Sequence, residues 1–496
     1  MRSAPWTVVA TIAYAVEWLI IVAALFVVPR NRRPGAATAW LMLVLLLPYV
    51  GLVLFWLIGS PKLSRRRRAQ QRAMDALITR VVARLDATMA DVFDPPVAPR
   101  HAPLVRLATN LGRLPVCAGN AVTLLPDYDG AIAAMVDAVD AAQSFVHVEF
   151  YILALDATTA PFFDALERAV RRGVIVRVLL DHVGSRKFPG HRAMLHRLTR
   201  AGIVWHRMLP LRPFSNQWNR PDLRNHRKIL VVDGAVGFTG SMNLIDKSYL
   251  LPGNRRRGMS YVELVARVTG PVVLELNAAF VTDWFAETGV PLDGTRASEA
   301  RAADAVLTPV RTGRSLCQVL PSGPAYETDN NLRLFVALIH AARERVTIAC
   351  PYFVPDESLM MAITSAAQRG VQVTLFSSEI ADQFFVHHAQ LSYYEELLAA
   401  GVTIYQYRAP LLLHSKHISV DDDVAVIGSS NLDMRSLTLN LEVTLVAYDS
   451  AVVADLRRVE ADYLRHSTHV ELAAWRRRPL AAQLFDNLAR LTAALQ

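Results

Sequence analysis

Two stretches of the chain carry the same polar residues at the same spacing. Residues 226–244 read HRKILVVDGAVGFTGSMNL, residues 414–432 read HSKHISVDDDVAVIGSSNL, and the two align without a gap. The shared positions include His226/His414, Lys228/Lys416, Asp233/Asp421, Gly240/Gly428, Ser241/Ser429 and Asn243/Asn431. A single H-x-K triplet is usually structural, but the full pattern written twice in register indicates a duplicated functional unit.

The residue types in each stretch suit chemistry on a phosphate. Residues two apart in a strand point to the same face, so the histidine and lysine of each copy project together. In one site, two imidazoles, two ammonium groups and two amides can transfer a phosphoryl group without a metal or other cofactor. One neutral histidine attacks phosphorus, and the other, protonated, donates to the leaving oxygen. The sequence has no acidic, histidine or cysteine clusters at metal-ligand spacing.

The other repeated residues are expected to shape this site. Asp233 and Asp421 complete the two catalytic motifs, and the Asp-Gly dipeptide at 233–234 indicates that they hold a hairpin turn. Small and amide side chains in the loop after the next strand can approach a phosphate, namely Ser241, Asn243, Ser429 and Asn431. An active histidine usually needs a carboxylate to fix its tautomer. Glu263 is the candidate in the first copy and Glu442 in the second.

The elements around the motifs alternate between β-branched runs and helical stretches. SFVHVEFYIL, PFFDALERAVRRG and VIVRVLLD predict strand, helix and strand, and RVTIACPYFV, ESLMMAITSAAQRG and VQVTLFSS repeat that order. The predicted fold class is α/β, with two similar sandwich domains over a largely parallel sheet, at residues 115–300 and 301–496. Residues 296–313 are the expected connection. A pseudo-two-fold axis would bring both motifs into one cleft.

The first 64 residues predict a membrane anchor. Residues 7–28 are long enough to span a bilayer and contain one charge, Glu17, while residues 36–59 are uncharged and equally long. Pro48 predicts a kink in the second span. A cleavable signal peptide is the alternative for the first segment, but a second span follows and no small-residue cleavage site is evident. The arginine-rich flank after the second span places both termini in the cytoplasm.

Residues 65–114 form the expected link between the anchor and the soluble domains. Apolar residues recur at helical spacing within 69–93, directly after an arginine run. Such a helix can lie on anionic lipid at the membrane interface or pack against the soluble domain, and the sequence leaves both open. The stretch FDPPVAPRHAP ends the segment as a linker.

Composition restricts the class of partner. The chain has 496 residues, 52% of them hydrophobic, and a formal net charge of +9. This charge favours an anionic partner, either nucleic acid or an acidic membrane surface. The three cysteines, Cys117, Cys317 and Cys350, have no CxxC spacing. They offer neither a disulfide framework nor a zinc site, and they fit a reducing compartment.

The paired motifs resemble the signature of the phospholipase D superfamily. Strings such as PYFVPDESL, YYEELLAAGVTIYQY and NLDMRSLTLNLEV are similar to those of bacterial cardiolipin synthases, and the similarity covers essentially the whole chain. The resemblance implies two phospholipase D-like domains behind a two-helix anchor, in a multi-pass protein of the bacterial inner membrane. The implied reaction is transphosphatidylation, in which two phosphatidylglycerol molecules give cardiolipin and glycerol.

The resemblance also implies the roles of individual residues. His226 would form a phosphatidyl-histidine, while His414 would protonate the departing glycerol and then deprotonate the second phosphatidylglycerol. The phosphate would be held by Lys228, Lys416, Asn243 and Asn431, assisted through loop geometry by Ser241 and Ser429. One departure is the segment NRRRGMSYVELVARVTGP, which lacks the Trp-Arg-Asp stretch usual in cardiolipin synthases. This departure bears on the choice of acceptor more than on the chemistry.

Three other functions stay open at this level. A hydrolytic phospholipase D would release phosphatidic acid, and it differs from a transferase in whether the cleft excludes water. A nuclease of the same superfamily fits the basic charge, but the sequence has no aromatic-interleaved basic stripe, and nucleic acid is not the expected partner. A non-catalytic scaffold that binds anionic lipid would not need two complete motifs.

Overall fold

The computed structural model describes residues 4–30, 32, 34–59, 62–211, 219–292 and 310–491. The chain divides into two compact units. One comprises residues 1–63 with Arg220–Asp222, and the other comprises Ser64–Asn219 with Leu223–Gln496. Most of the connection expected at 296–313 lies outside the described residues.

The first unit is built from apolar helices, which span Ala4–Val27, Pro34–Leu46 and Pro48–Ile58. Within the first helix, Val9–Val27 is long and apolar enough to cross a membrane. The second expected span is divided at Leu47, because the following proline lacks the backbone N–H that would continue the helix. Tyr49 donates a hydrogen bond to the Ala13 carbonyl oxygen at 3.0 Å, which ties the third helix to the first.

The link segment is helical over Arg65–Thr88, Ala90–Phe93 and Ala102–Gly112. The Arg67 guanidinium donates to both carboxylate oxygens of Glu287, at 2.8 and 2.7 Å. Met74, seven residues further along the same helix, is buried. These contacts join the helix to Val272–Thr288, which carries Glu287. Of the two alternatives for this segment, the structure shows the second, in which the helix packs against the soluble domain.

Within the described residues, the second unit is organised by one sheet of 15 strands and two sheets of two strands. The strands are β1 (Cys117–Leu125), β2 (Phe145–Phe150), β3 (Ile175–Asp181), β4 (Val204–Met208), β5 (Lys228–Val232), β6 (Val236–Gly240), β7 (Ser260–Val262), β8 (Val265–Thr269), β9 (Ser315–Ser322), β10 (Arg345–Ala349), β11 (Phe353–Val354), β12 (Gln372–Ser378), β13 (Thr403–Tyr407), β14 (Leu411–Leu413), β15 (His417–Val420), β16 (Val424–Gly428), β17 (Leu432–Asp433), β18 (Glu442–Tyr448) and β19 (Ser467–Val470). The small sheets pair β11 with β17 and β14 with β7.

Helices connect and cover these strands. They span Tyr128–Asp140, Ala160–Arg171, His182–Arg186, His191–Arg200, Pro252–Arg257, Val272–Thr288, Asn330–Ala341, Glu357–Gln368, Phe384–Leu391, Tyr394–Ala399, Met434–Thr438, Ser450–Arg465, Leu472–Arg476 and Leu480–Arg490. The helices predicted from PFFDALERAVRRG and ESLMMAITSAAQRG are present and end before Gly173 and Gly370, as expected.

The large sheet contains two copies of one strand arrangement. From the centre outward, the first half runs β1-β8-β6-β5-β2-β3-β4, and the second runs β9-β18-β16-β15-β10-β12-β13, with β19 added at the edge. β1 and β9 pair antiparallel at the centre, where Cys117 faces Cys317. The predicted α/β fold with two similar, pseudo-symmetric halves is confirmed, and the halves share one continuous sheet.

The sheet is mixed, so the prediction of a largely parallel sheet is wrong. In the large sheet, the parallel pairs are confined to β2-β3-β4 and β10-β12-β13. The strands of each motif form an antiparallel hairpin, β5-β6 or β15-β16, that joins the sheet with both strands. Hairpins impose antiparallel pairing, whereas the parallel strands need a helical crossover.

A shared core joins the two halves of the second unit. One hydrophobic cluster belongs mainly to each half. A third takes buried side chains from both, among them Val231, Leu276, Val319, Leu445 and Leu456. Because this third cluster packs against strands next to both motifs, the halves form one rigid support for the residues described below.

Candidate active site

Each H-x-K triplet lies where a strand of the large sheet begins. Lys228 is the first residue of β5, and Lys416 directly precedes β15. Each lysine Nζ donates to the carbonyl oxygen of the histidine two residues earlier, at 2.6 Å in both copies. Both lysines are 2% exposed. Each ammonium group is therefore buried and fixed beside the imidazole of its own motif.

The carboxylates that orient the histidines come from the opposite halves. His226 Nδ1 lies 3.0 and 3.1 Å from the two carboxylate oxygens of Glu442. His414 Nδ1 lies 2.7 Å from Glu263 Oε1. The two glutamates expected from the sequence do contact the histidines, but the expected pairing within each copy is wrong.

Backbone hydrogen bonds between the halves impose this crossed pairing. The His226 N–H donates to the Leu441 carbonyl oxygen at 2.8 Å, and the His414 N–H donates to the Val262 carbonyl oxygen at 2.7 Å. Leu441 and Val262 each directly precede the glutamate that binds the histidine. Strands β14 and β7 also pair in parallel just before His414. Each histidine is thus joined to a segment of the other half, which the order of residues along the chain does not reveal.

Burial and hydrogen bonding set the protonation state of both pairs. Burial lowers the pKa of His226 to about 4, and it also lowers the pKa of His414. Burial by itself raises the pKa of Glu442 and Glu263, but the facing histidine and lysine outweigh it and hold both pKa values below the usual range. At neutral pH each neutral imidazole therefore donates Nδ1–H to an ionised carboxylate. Its Nε2 keeps a lone pair.

The charges of the two motifs act on each other, which indicates one shared site. Burial and, to a smaller extent, the charge of Lys416 in the other half lower the pKa of Lys228 to about 7. Lys416 also contributes to the low pKa of His226. Two ammonium groups that repel each other in a buried site favour a bound anion. In the part of the chain that the structure describes, no group of three His, Cys, Asp or Glu side chains has metal-holding geometry.

Tyrosine rings enclose the two histidines to different extents. The Tyr151 ring lies edge-on to His226, with the ring centroids 4.9 Å apart. Three rings lie edge-on to His414, with centroid distances of 6.1, 5.3 and 5.9 Å for Tyr249, Tyr261 and Tyr352. The side chain of His226 is 10% exposed and that of His414 is 5% exposed. The first histidine is therefore the more accessible of the two.

A carboxylate outside the motifs fixes two of these rings. The Tyr261 hydroxyl donates to Asp382 Oδ2 at 3.0 Å, and the Tyr352 hydroxyl donates to Asp382 Oδ1 at 2.7 Å. Tyr261 belongs to the first half and Tyr352 to the second. Asp382 therefore holds the tyrosines around His414 from both sides.

The two motif asparagines have different surroundings. Asn243 accepts from the Ile152 N–H at 3.1 Å and donates to the Tyr249 hydroxyl at 3.0 Å. That hydroxyl donates in turn to Glu263 Oε1 at 3.0 Å. Asn243 thus supports the carboxylate that orients the second histidine. Asn431 is buried, and its Oδ1 has no hydrogen-bond partner among the described residues.

The two motif serines hold the segments that carry the glutamates. Ser241 Oγ accepts from the Leu264 N–H at 2.9 Å, and Ser429 Oγ accepts from the Val443 N–H at 3.0 Å. Ser429 Oγ also donates to Glu442. Neither serine has exposed surface. The hydroxyls of Ser241 and Ser429 therefore support the segments that carry the glutamates, and assistance of the phosphate site through loop geometry stays a prediction.

Asp233 and Asp421 lie at the hairpin turns, with φ values of 54° and 49°. The carboxylate of Asp233 accepts three backbone N–H groups at 2.7 to 2.8 Å, those of Gln143, Ser144 and Phe145. The carboxylate of Asp421 accepts those of Arg343, Glu344 and Arg345 at 2.8 to 3.2 Å. These bonds tie each motif hairpin to the loop before the neighbouring strand, which is a structural role.

Two motif glycines allow close approach of backbones. A Cβ atom at Gly240 would lie 2.3 Å from the Leu264 carbonyl oxygen, and one at Gly428 would lie 2.5 Å from the Val443 carbonyl oxygen. Any side chain would push the motif loop away from the segment that carries the glutamate. The repeated Gly-Ser pair therefore sets the distance between each motif and the adjacent glutamate.

Sequence reasoning did not identify the tyrosines. Tyr151 and Tyr352 lie just past the ends of β2 and β10, which neighbour the motif hairpins. An alignment of the two halves extended beyond the motifs would have placed these two tyrosines at nearly equivalent positions. Tyr249 and Tyr261 lie in the segment between the first motif and its glutamate, which is longer than in the second half. The sequence contains no repeat signal for them.

Crossed histidine–glutamate pairs in a duplicated α/β fold define an enzyme of the phospholipase D superfamily. The family profile described as "Cardiolipin synthase, PLD-like domain" matches residues 135–284 and 335–462, one match in each half. A second profile, "Phospholipase_D-nuclease N-terminal", matches residues 18–60. The chain belongs to the cardiolipin synthase family, whose enzymes transfer phosphatidyl groups.

Relatives over nearly the whole chain agree with this assignment. Cardiolipin synthase A of Yersinia pseudotuberculosis serotype O:1b (strain IP 31758) and of Yersinia pestis bv. Antiqua (strain Angola) are each 33% identical over 489 residues, covering 97% of this chain and 98% of each relative. The solved structure of phosphatidylserine synthase from Haemophilus influenzae Rd KW20 matches with a TM-score of 0.59 at 16% identity. It covers 79% of this chain and 98% of that chain. The solved structure supports the fold, and the relatives support the family.

Proposed function

We propose that this protein is a membrane-anchored cardiolipin synthase that joins two phosphatidylglycerol molecules and releases glycerol. The crossed site carries this proposal. Two neutral imidazoles are each oriented through Nδ1 by a glutamate of the other half, and two buried lysines stand beside them. Such a set binds one phosphodiester and moves protons on either side of it.

In the first step, His226 Nε2 attacks the phosphorus of phosphatidylglycerol. A nitrogen–phosphorus bond forms, and the bond between phosphorus and the headgroup oxygen breaks. The bound anion raises the pKa of His414, which then carries a proton on Nε2 and donates it to that oxygen, so that glycerol leaves. Lys228 and Lys416 offset the negative charge of the phosphate oxygens in the transition state.

In the second step, neutral His414 removes a proton from a headgroup hydroxyl of another phosphatidylglycerol. The resulting oxygen attacks phosphorus, the nitrogen–phosphorus bond breaks, and His226 is regenerated with cardiolipin as the product. Asn431 is expected to donate to the phosphate, as is the second N–H of the Asn243 amide. The low exposure of both histidines limits the entry of water, which would otherwise give phosphatidic acid.

The domain limits and the membrane topology belong to the same proposal. The two repeats occupy residues 115–300 and 301–496, and the apolar segments at 7–28 and 36–59 anchor them to the inner membrane. The apolar length of Val9–Val27 supports the first span. The arginine run that opens the Arg65–Thr88 helix supports a cytoplasmic position for the repeats, by the positive-inside rule.

Product analysis tests the proposal. Full-length protein is incubated with vesicles of phosphatidylglycerol that carries a labelled headgroup glycerol, and lipids and free glycerol are quantified. One glycerol is expected for each cardiolipin formed, and an added primary alcohol should compete to give a phosphatidyl alcohol. Phosphatidic acid as the main lipid product would contradict the transferase assignment, and DNA cleavage without lipid turnover would indicate a nuclease. The His226→Ala variant serves as the control and should form no product.

A further inference from the structure

Two packed helices of the second half expose apolar side chains. These are the Phe384–Leu391 helix and the Leu480–Arg490 helix. We call their exposed apolar residues the outer apolar face, namely Phe384, Phe385, Leu480, Leu484, Phe485, Leu488 and the adjoining Leu491. Between 37% and 82% of each of these residues is exposed. So many large apolar groups in contact with one another require a partner or an apolar medium.

The Leu480–Arg490 helix has the reverse of the usual orientation. Its leucines recur every four residues on the outer side, at Leu480, Leu484 and Leu488. Its carboxylate, Asp486, is 1% exposed on the opposite side. There it is held by His388 Nδ1 at 2.7 Å and by Arg478 Nη1 at 2.8 Å. A helix on a protein surface normally buries leucine and exposes aspartate, so this helix is fixed with its leucines outward.

Aromatic residues make the outer apolar face continuous across the two helices. The Phe384 ring lies 5.6 Å from the Phe485 ring and 5.6 Å from the Phe385 ring, measured between centroids. Phe485 also contacts the His388 ring at 4.7 Å. The leucines of one helix and the phenylalanines of the other therefore form one surface.

Arginine residues precede the Leu480–Arg490 helix in the chain and end it. Arg476, Arg477 and Arg490 are exposed. Arg476 pairs with Glu395 at 2.9 Å, while Arg477 has no ion-pair partner in the part of the chain described. Leucine and phenylalanine together with arginine are typical of a surface that inserts into the interface of a bilayer containing anionic lipid.

The outer apolar face begins next to the active site. Asp382, two residues before Phe384, accepts the hydroxyl groups of Tyr261 and Tyr352. The rings of these tyrosines lie edge-on to His414. A lipid that reaches the second histidine from the bilayer therefore has a short path from this surface.

We propose that the outer apolar face inserts into the bilayer interface and opens the His414 side of the site to lipid headgroups. The bilayer is chosen as the occupant for two reasons. The chain carries its own apolar segment long enough to span a membrane, Val9–Val27, and the bordering arginines complement anionic lipid. A second copy of the chain is the competing occupant.

Lipid quenching tests this insertion in the full-length protein. Leu484→Cys is labelled with bimane and reconstituted into phosphatidylglycerol vesicles with nitroxide on the lipid acyl chains. The native cysteines are at most 1% exposed, so labelling is selective for the new site. The matched control is Val204→Cys, 48% exposed on β4, the edge strand of the first half. We expect at least about twofold quenching at position 484 and almost none at 204.

Two outcomes would overturn the proposal. The first is equal, weak quenching at both positions. The second is shielding of the 484 label from water that grows with protein concentration and is insensitive to nitroxide lipid, which would indicate a dimer. Quenching reports contact and not turnover, so its failure is distinguishable from failure of the proposed function.

A kinetic variant tests the consequence for catalysis, and this arm does rest on the proposed function. Leu484→Glu with Leu488→Glu should raise the apparent KM for phosphatidylglycerol vesicles by about tenfold, because each buried carboxylate opposes insertion. Its kcat on detergent-dispersed lipid should match that of the wild type. Val204→Glu should alter neither constant. An unchanged KM in the double variant would contradict insertion.

Discussion

The surroundings of His226 and His414 differ although their motifs are copies. His226 meets one tyrosine ring and both oxygens of Glu442. His414 is enclosed by three tyrosine rings, and the oxygen of Glu263 that it contacts also accepts from Tyr249. The duplicated residues thus supply two equivalent reactive groups, and the residues around them make those groups unequal.

The inequality originates in the segment between the first motif and Glu263. This segment contains the Pro252–Arg257 helix and supplies both Tyr249 and Tyr261 to the other half's histidine. A two-step transfer needs one accessible nucleophile and one group held for proton transfer. The more exposed His226 suits the first role, and the enclosed His414 suits the second.

The largest effects are expected at the histidines. His226→Asn and His414→Asn should each lower kcat by about 10⁴-fold or more, because both groups act in both steps. Steady-state cardiolipin synthesis from phosphatidylglycerol measures the loss. His340→Asn, an exposed histidine of the Asn330–Ala341 helix, is the matched control and should keep full activity. Substantial turnover by either active-site variant would show that the substituted histidine is not needed for the reaction.

The glutamates test the crossed pairing. The substrate is a phosphatidyl ester of p-nitrophenol, whose leaving group needs no protonation, so the first step depends on the nucleophile alone. Glu442→Gln should slow the initial burst of nitrophenolate by about 10²- to 10⁴-fold, since it orients His226. Glu263→Gln should keep the burst and slow the following turnover. Exchange of these two results would mean that each glutamate serves the histidine of its own half.

The pH profile tests the charge state of the first motif. Burial lowers the pKa of His226 to about 4 and that of Lys228 to about 7. For the p-nitrophenol ester, whose leaving group needs no proton from His414, the kcat/KM should therefore rise with pH through about 4, as the nucleophile loses its proton, and fall above about 7, as the lysine loses its charge. Lys228→Gln should lower kcat/KM by about 10²-fold and abolish the alkaline decline. A wild-type profile that stays flat well above pH 7 would contradict this assignment.

The tyrosines give a smaller and unequal effect. Tyr249→Phe removes the hydroxyl that bridges Asn243 and Glu263, and it should lower kcat by about tenfold. Tyr151→Phe should change kcat by less than about twofold, because its ring edge and not its hydroxyl meets His226. Equal losses in the two variants would show that the hydroxyl bridge from Asn243 to Glu263 gives the second histidine no particular support.

The smallest effect on rate is expected at the turn. Asp233→Asn weakens the acceptor of three backbone N–H groups, and it should lower the free energy of unfolding by about 1–3 kcal/mol. The kcat per folded molecule should stay within about twofold of the wild type. Thermal unfolding and activity of the same sample measure both, with Asp129→Asn at an exposed position as the control. A large loss of kcat without loss of stability would assign Asp233 to chemistry.

Much of this site was predictable because the repeated residues of each copy lie within one short, contiguous stretch of the chain. The spacing of His226 and Lys228 predicted a shared strand face, and their copies in the second half predicted a second set. The alternation of strand and helix around them predicted the α/β class. These signals are local, and local hydrogen bonding or side-chain periodicity is sufficient to produce them.

The crossed pairing could not be predicted in the same way. The bonds from His226 to Leu441 and from His414 to Val262 join residues far apart in the chain, and both halves had to be in place before they could form. The contacts of the buried serines could not be predicted for a related reason, since Ser241 and Ser429 follow the motif in sequence but contact the segments that carry the glutamates. Contacts of this kind depend on tertiary packing, which leaves no periodic trace in the sequence.

The central claim is that His226 and His414, from different halves, act on one phosphorus with His226 as the nucleophile. Mass spectrometry of chains quenched during turnover of the p-nitrophenol ester measures this directly. We predict one phosphatidyl group per chain, attached to His226, which accumulates in the His414→Asn variant and is absent from His226→Asn. An adduct on His414 in the His226→Asn variant, or a burst without any histidine adduct, would contradict the account.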